Sequence, residues 1–273
     1  MSKRQTGWTE QKIAKYYKQG RGSGELSAYK PWLTIQDVPS KGRSHRPKGW
    51  KTNRIHQLLS DLEFYYFCLL EWVDNVIDIR EQFPLNRELT LNIAETKGIK
   101  HPTDPKTNTP IVMTTDFFIT VRKKDELRYL VRTIKYENEL NSERQIEKFE
   151  IERAYWEDQG VSWGIVTEKE IPVTVVDNIK WVHKSYFDED ANDKEINNQL
   201  LYALSRQEGS IISALNEFDE EYKLEKGTAL SIFKWMLARK IIKINIKDKI
   251  DLKNEMSYLQ IPKVKVSDER WAT

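Results

Sequence analysis

The chain has 273 residues, a single cysteine and a net charge of +2. One cysteine, Cys68, excludes an intrachain disulfide framework and a cysteine-built zinc cage, and the longest apolar run, Phe64 to Leu70, is far short of the about 20 residues that cross a bilayer. The length allows two domains with cores of their own, and the lack of a secretory leader or membrane span reads as a cytoplasmic protein.

The small net charge conceals an asymmetry. Residues 1–56 carry 13 Lys and Arg against 3 acids, so residues 57–273 hold 31 basic against 39 acidic side chains. In chain order, a helix over 9–19 ends at the glycines of Gly20-Arg21-Gly22-Ser23-Gly24, which follow a helix rather than a strand and so read as a stop and linker, not a nucleotide loop. The densest basic run, Lys41 to Arg54, has six positive charges and no acid. It is either a solvated loop or a phosphate-binding surface, with Arg43, Arg46, Lys48, Lys51 and Arg54 as the contacts.

A helix over 60–73 comes next and is too apolar for a surface position. Glu63 is the one acid between Asp61 and Glu71, and Phe67 and Leu70 at i+4 and i+7 turn it inward. Ser60-x-x-Glu63 also reads as a capping box, with the carboxylate reaching back to the Ser60 amide, and the two roles do not exclude each other. A strand over 76–82, a loop to about 110, a hairpin over 113–136, a helix over 142–158 and a strand over 161–167 complete an α/β order that predicts a mixed sheet flanked by helices. The four histidines, His45, His56, His101 and His183, are too scattered for a zinc site; His101, in a proline-rich loop, is a bland loop residue or a DNA contact.

The character changes beyond a connecting helix over 172–187 and a polar boundary over 188–198. Helices over 195–206, 208–222 and 227–239 precede the alternating run Ile241 to Ile246, a turn at Asp248-Lys249 and Ile250-Asp251-Leu252. Helices followed by a hairpin predict a winged-helix-like α+β domain over 172–273, after a catalytic domain over 1–171. Its acidic stretches, Asp188–Asp190 and Glu217–Glu221, repel phosphate, which favours protein docking over DNA reading.

The chemistry concentrates in the 113–136 hairpin. If it centres on Lys124-Asp125, Asp116 lies opposite Thr133 and diagonal to Lys135, and diagonal neighbours are about 7–8 Å apart. That spacing suits either a cross-strand ion pair or a carboxylate-held metal and an ammonium acting on one phosphate. Apolar neighbours on both faces, Phe117, Phe118, Ile119, Leu130, Val131 and Ile134, make a lone lysine costly and weaken the first reading.

With GRSHR (42–46), HQLLSDLE (56–63), DIREQFPL (78–85), KHP (100–102), MTTDF (113–117), TIK (133–135) and ERAYWEDQGVSWGIVTEKEI (152–171) in order, the chain resembles the TnsA endonuclease subunit of heteromeric cut-and-paste transposases. The resemblance implies a restriction-endonuclease-like site with Glu63 and Asp116 as Mg²⁺ ligands, Mn²⁺ being a possible substitute, and Lys135 as the catalytic lysine. Thr133 departs from the family pattern, which has Gln there; its hydroxyl suits a metal-bound water better than the metal itself. The implied activity is cleavage of the 5′ strands at transposon ends, beside a transposase, TnsB, that cleaves and joins the 3′ ends. The implied partner of the C-terminal domain is the ATPase regulator TnsC. A junction resolvase or repair nickase of the same superfamily, and a decayed DNA-binding adaptor, are the rival readings.

Overall fold

The computed structural model describes residues 7–38 and 42–262, so Lys41 of the basic run lies outside the described residues. The chain divides into two compact units, residues 1–171 and 172–273.

The first unit opens on α1 (Glu10–Lys18), capped by the Thr9 hydroxyl. The glycine turn that ends it needs its glycines: Gly22 has a φ of +79°, and a Cβ there would lie 2.1 Å from Pro84 Cγ. An extended excursion follows, with isolated antiparallel bridges His45 to Leu58 and Lys48 to Ile55, and leads into α2 (Asp61–Trp72). Then come β1 (Val76–Pro84), α3 (Arg87–Thr96), β2 (Thr114–Lys123), β3 (Glu126–Ile134), α4 (Glu143–Asp158) and β4 (Ser162–Val166). The sheet order is β1-β2-β3-β4, antiparallel between the first three strands and parallel between β3 and β4, with α4 as the crossover.

The β2–β3 register pairs Lys123 with Glu126 and Phe117 with Arg132 around a two-residue turn at Lys124-Asp125, where Lys124 takes a φ of +56°. Carried one step further, that register sets Asp116 against Thr133, as the sequence predicts. One sheet face meets α2, where Tyr66 packs on Phe117 with ring centres 5.5 Å apart. The other buries Leu85, Met113, Phe118 and Val131 against Ile151 and Trp156 of α4.

Helix α3 falls where the sequence reading places a loop. Its signal is local: the Asn86 side chain accepts from the Glu88 and Leu89 amides at 3.0 and 3.1 Å, a good N-cap with an acid in the first turn. His101 is buried, with Nε2 3.0 Å from the Thr90 hydroxyl, so the loop histidine serves packing.

The second unit holds α5 (Val173–His183), α6 (Lys194–Arg206), α7 (Ile211–Glu221) and α8 (Thr228–Ala238) around Leu200, Leu215, Phe218 and Phe233. Asp219, within the acidic stretch, is buried and accepts from the Gly227 and Ala229 amides at the start of α8. The expected hairpin turning at Asp248-Lys249 does not form. Buried Asn178 of α5 donates to the Ile246 and Asp248 carbonyls at 2.9 and 2.7 Å and accepts from the Ile250 amide at 3.1 Å, using the backbone groups that such a ladder needs. Lys243 bridges to Gln260 instead, and the wing is a long loop.

Candidate active site

Three side chains that the sequence singles out come together at one end of the sheet. Glu63 stands in the first turn of α2, whose start is fixed by the Ser60 hydroxyl accepting from the Glu63 amide at 3.1 Å. The carboxylate reaches back further than a standard capping box. Its Oε2 accepts from the Leu59 amide at 2.9 Å, and its Oε1 accepts from the Ser60 hydroxyl at 3.0 Å. Capping and site geometry are therefore served by one orientation. Burial, and then the neighbouring charge of Asp116, push the Glu63 carboxyl up to about 8.

Asp116 accepts from the Ile134 amide at 2.7 Å, which ties β2 to β3 just beyond their ladder. Lys135 is the next residue and is held by its own amide on the Val166 carbonyl at 3.1 Å. Its ammonium is half-buried. Asp116 raises its pKa most, and Glu63 adds to this against the opposing effect of burial, so the amine stays charged between the two acids.

Glu152 of α4 joins this group without having been singled out by the sequence reading. Buried at 4% exposure, it accepts from the Thr115 hydroxyl and, at 2.6 Å, from the Thr133 hydroxyl. Burial pushes it up to about 7, and Asp116 adds to the rise. The signal that marks Glu63 applies here as well: an acid on a helical face, with Phe149 and Trp156 at i−3 and i+4. Thr133 is itself buried and gives its only proton to Glu152, so a metal-bound water at that position would meet an acceptor, not a donor.

The basic run divides. Arg43, Arg46 and Lys48 are exposed. Lys51 places its ammonium 2.8 Å from the Val73 carbonyl at the end of α2, a helix-capping position. Arg54 departs from the phosphate-binding expectation altogether: its guanidinium is buried, donating to Glu81 at 2.8 Å and to the Ile79 carbonyl. Glu81 is fully buried and also meets His56 at 2.8 Å; burial alone would raise its pKa, but His56 and Arg54 hold it well below the usual carboxylate range. His45 anchors the exposed part to α2, with Nε2 2.6 Å from Asp61 and its ring stacked on Phe64.

The donor set of the site is oxygen only, as a hard divalent cation requires. Among the described residues no three acidic, histidine or cysteine side chains form a ready cage. Two carboxylates leave the remaining positions to water and a substrate phosphate, which is the usual mode for Mg²⁺.

A family model described as TnsA-like endonuclease N terminal matches residues 73–168, and one described as TnsA endonuclease C terminal matches residues 170–246. The Escherichia coli protein Transposon Tn7 transposition protein TnsA is 39% identical over 254 residues, covering 90% of both chains. The chain belongs to the TnsA endonuclease family. It is a DNA endonuclease on a restriction-endonuclease-like mixed sheet, with the TnsA C-terminal domain following. A TnsA endonuclease is a metal-dependent hydrolase, and the oxygen donors of Glu63 and Asp116 fit that requirement. Asp116, Thr133, Lys135 and Glu152 fall inside the N-terminal TnsA match, while Glu63 and the basic run precede it.

Proposed function

We propose that this TnsA endonuclease cuts the 5′ strands at transposon ends as the nuclease subunit of a heteromeric transposase, with Glu63 and Asp116 holding Mg²⁺ and Lys135 as the catalytic lysine. Mn²⁺ would substitute, having the same preference for oxygen. The reading rests above all on one observation: a buried carboxylate, Glu63, and Asp116 share a charged lysine at the meeting of α2, β2 and β3. A surface ion pair needs no second acid with so strongly raised a pKa.

When bound, the cation polarises the scissile phosphate and lowers the pKa of the attacking water. Glu63 and Asp116 present oxygens already oriented by the Leu59 and Ile134 amides. Lys135 orients the attacking water or offsets the charge that develops on the phosphoryl oxygens. Glu152 braces β2 and β3 behind the site through Thr115 and Thr133. Arg43, Arg46 and Lys48 flank the start of α2 and provide sequence-independent phosphate contacts.

The acidic stretches of the C-terminal unit, Asp188–Asp190 and Glu217–Glu221, disfavour DNA; it suits a protein partner, the regulator TnsC, with TnsB supplying the complementary strand cleavage. Acting on DNA, and with no membrane-crossing helix among the described residues, the protein belongs in the bacterial cytoplasm. The deciding experiment is a strand-specific cleavage assay on DNA carrying transposon ends, with and without TnsB. Nicking confined to the 5′ ends and dependent on TnsB is the expected result; structure-selective cutting of branched DNA by the isolated protein would favour a resolvase instead.

A further inference from the structure

Strand β1 changes its side of the sheet at one residue. Glu81 and its β2 partner Phe117 face α2, through His56, whose ring packs tilted against Phe67 with centres 4.6 Å apart, and through Tyr66. Two residues on, Phe83 and its partner Thr115 face α4, through Trp156 and Glu152. Residues two apart in a regular strand share a face. The switch is made at Gln82, whose φ of +49° lies in the left-handed region, a costly conformation for a residue with a Cβ. Continuing the register places Gln82 opposite Asp116.

The Gln82 side chain is buried at 2% exposure beside the site. Its Nε2 donates to Glu63 Oε2 at 3.4 Å, and its Oε1 accepts from the Thr114 hydroxyl at 3.4 Å. As a metal ligand Glu63 must be ionised, and a carboxylate only accepts, which fixes the amide with its NH₂ toward Glu63 in the metal-bound state. The backbone is held in turn, since the Gln82 carbonyl accepts from the Trp32 amide at 3.1 Å.

We infer that Gln82 is a positioning residue that fixes the Glu63 carboxylate toward Asp116, and that its left-handed backbone exists to bring this amide onto the α2 face. The inference rests on the reading of Glu63 and Asp116 as metal ligands. Polar groups that orient a metal ligand typically contribute about 10- to 100-fold in affinity.

The test measures Mg²⁺ binding to the full chain by calorimetry, melting temperature without metal, and the Mg²⁺ dependence of end cleavage. Gln82→Leu removes the amide. Gln82→Asn keeps an amide too short by one methylene but suits the left-handed backbone better, so it folds even if the leucine variant does not. Both variants are expected to bind Mg²⁺ about 10- to 100-fold more weakly, with cleavage recovering at high Mg²⁺ and with the asparagine variant melting no lower than wild type. A folded Gln82→Asn protein with wild-type Mg²⁺ affinity overturns the inference and leaves the backbone turn as a purely structural feature. Glu63→Ala, measured alongside, separates the two claims: retained Mg²⁺ affinity there removes the ligand assignment and this inference with it, whereas lost affinity there with wild-type affinity in Gln82→Asn removes only the role of Gln82.

Discussion

Glu63 has two tasks that substitution can separate. Its backbone amide and carboxyl group fix the start of α2 through Ser60 and Leu59, and the same carboxyl group interacts with Asp116 and Lys135. Glu63→Ala should abolish cleavage and Mg²⁺ binding and lower stability by about 1 kcal/mol through removal of the cap, whereas Asp116→Ala should abolish cleavage and leave the cap in place. A thermal melt beside calorimetry checks both, and full Mg²⁺ affinity in either variant would exclude that residue as a ligand. Lys135 tests the chemistry apart from the metal. Lys135→Ala should bind Mg²⁺ and DNA nearly as before while single-turnover cleavage falls on the order of 10²–10³-fold, the usual cost of one electrostatic stabiliser. If Lys135 served only as an ion-pair partner of Asp116, the variant would cut at close to the wild-type rate and lose only a little stability.

The excursion before α2 joins the basic run to the site, and its cations have opposite fates. Replacing Arg43, Arg46 and Lys48 together with Gln should reduce the slope of log K against log salt by about 0.9 for each phosphate no longer neutralised, with melting unchanged. Arg54→Ala should do the reverse, costing about 3–5 kcal/mol because Glu81 would keep a buried charge with one partner gone, while the salt slope stays put. Binding titrations across a salt series and denaturant melts distinguish the two. Sequence alone could not sort these cations, since burial of Arg54 depends on Glu81, 27 positions away. What it did make legible was set locally: the two-residue turn at Lys124-Asp125 fixes the register that brings Asp116 beside Lys135, and inward-facing Glu63 follows from helical period. Glu152 carried the same helical signal but stood in a strongly charged helix where acids are ordinary. The C-terminal hairpin misled for a non-local reason, because Asn178 of α5 captures the loop that alternation alone would make a strand.

At the scale of the whole molecule, the first unit carries an unusual load of acids whose folded form favours the proton. Burial pushes Glu63 up to about 8, and Glu71 and Glu152 up to about 7; Glu71 lies under the Trp50 amide, outside the site. A carboxyl raised on folding adds stability that is fully present below its unfolded value and is lost as pH rises toward its folded value. For these three the loss runs from the ordinary carboxylate range to about pH 7–8, at up to about 1.4 kcal/mol per pH unit for each group while it is titrating. Two acids work in the opposite sense: burial would raise Asp37, but hydrogen bonds from Tyr16, Thr34 and Arg21 hold it down at about 2, and His56 and Arg54 hold Glu81 low, so both stabilise the fold until strong acid is reached. The metal-free protein should therefore melt highest on the acid side of neutrality and fall from about pH 5 to 8, the reverse of a protein held together by paired surface carboxylates. Mg²⁺ should flatten that fall by favouring ionised Glu63, and Glu63→Gln should flatten it without metal, leaving the part due to Glu71 and Glu152. Melting temperatures from pH 5 to 8.5, with chelator and with excess Mg²⁺, provide the check; a metal-free melting temperature that rises through this range would mean that the buried acids are ionised at neutral pH and that the site is pre-charged for its cation.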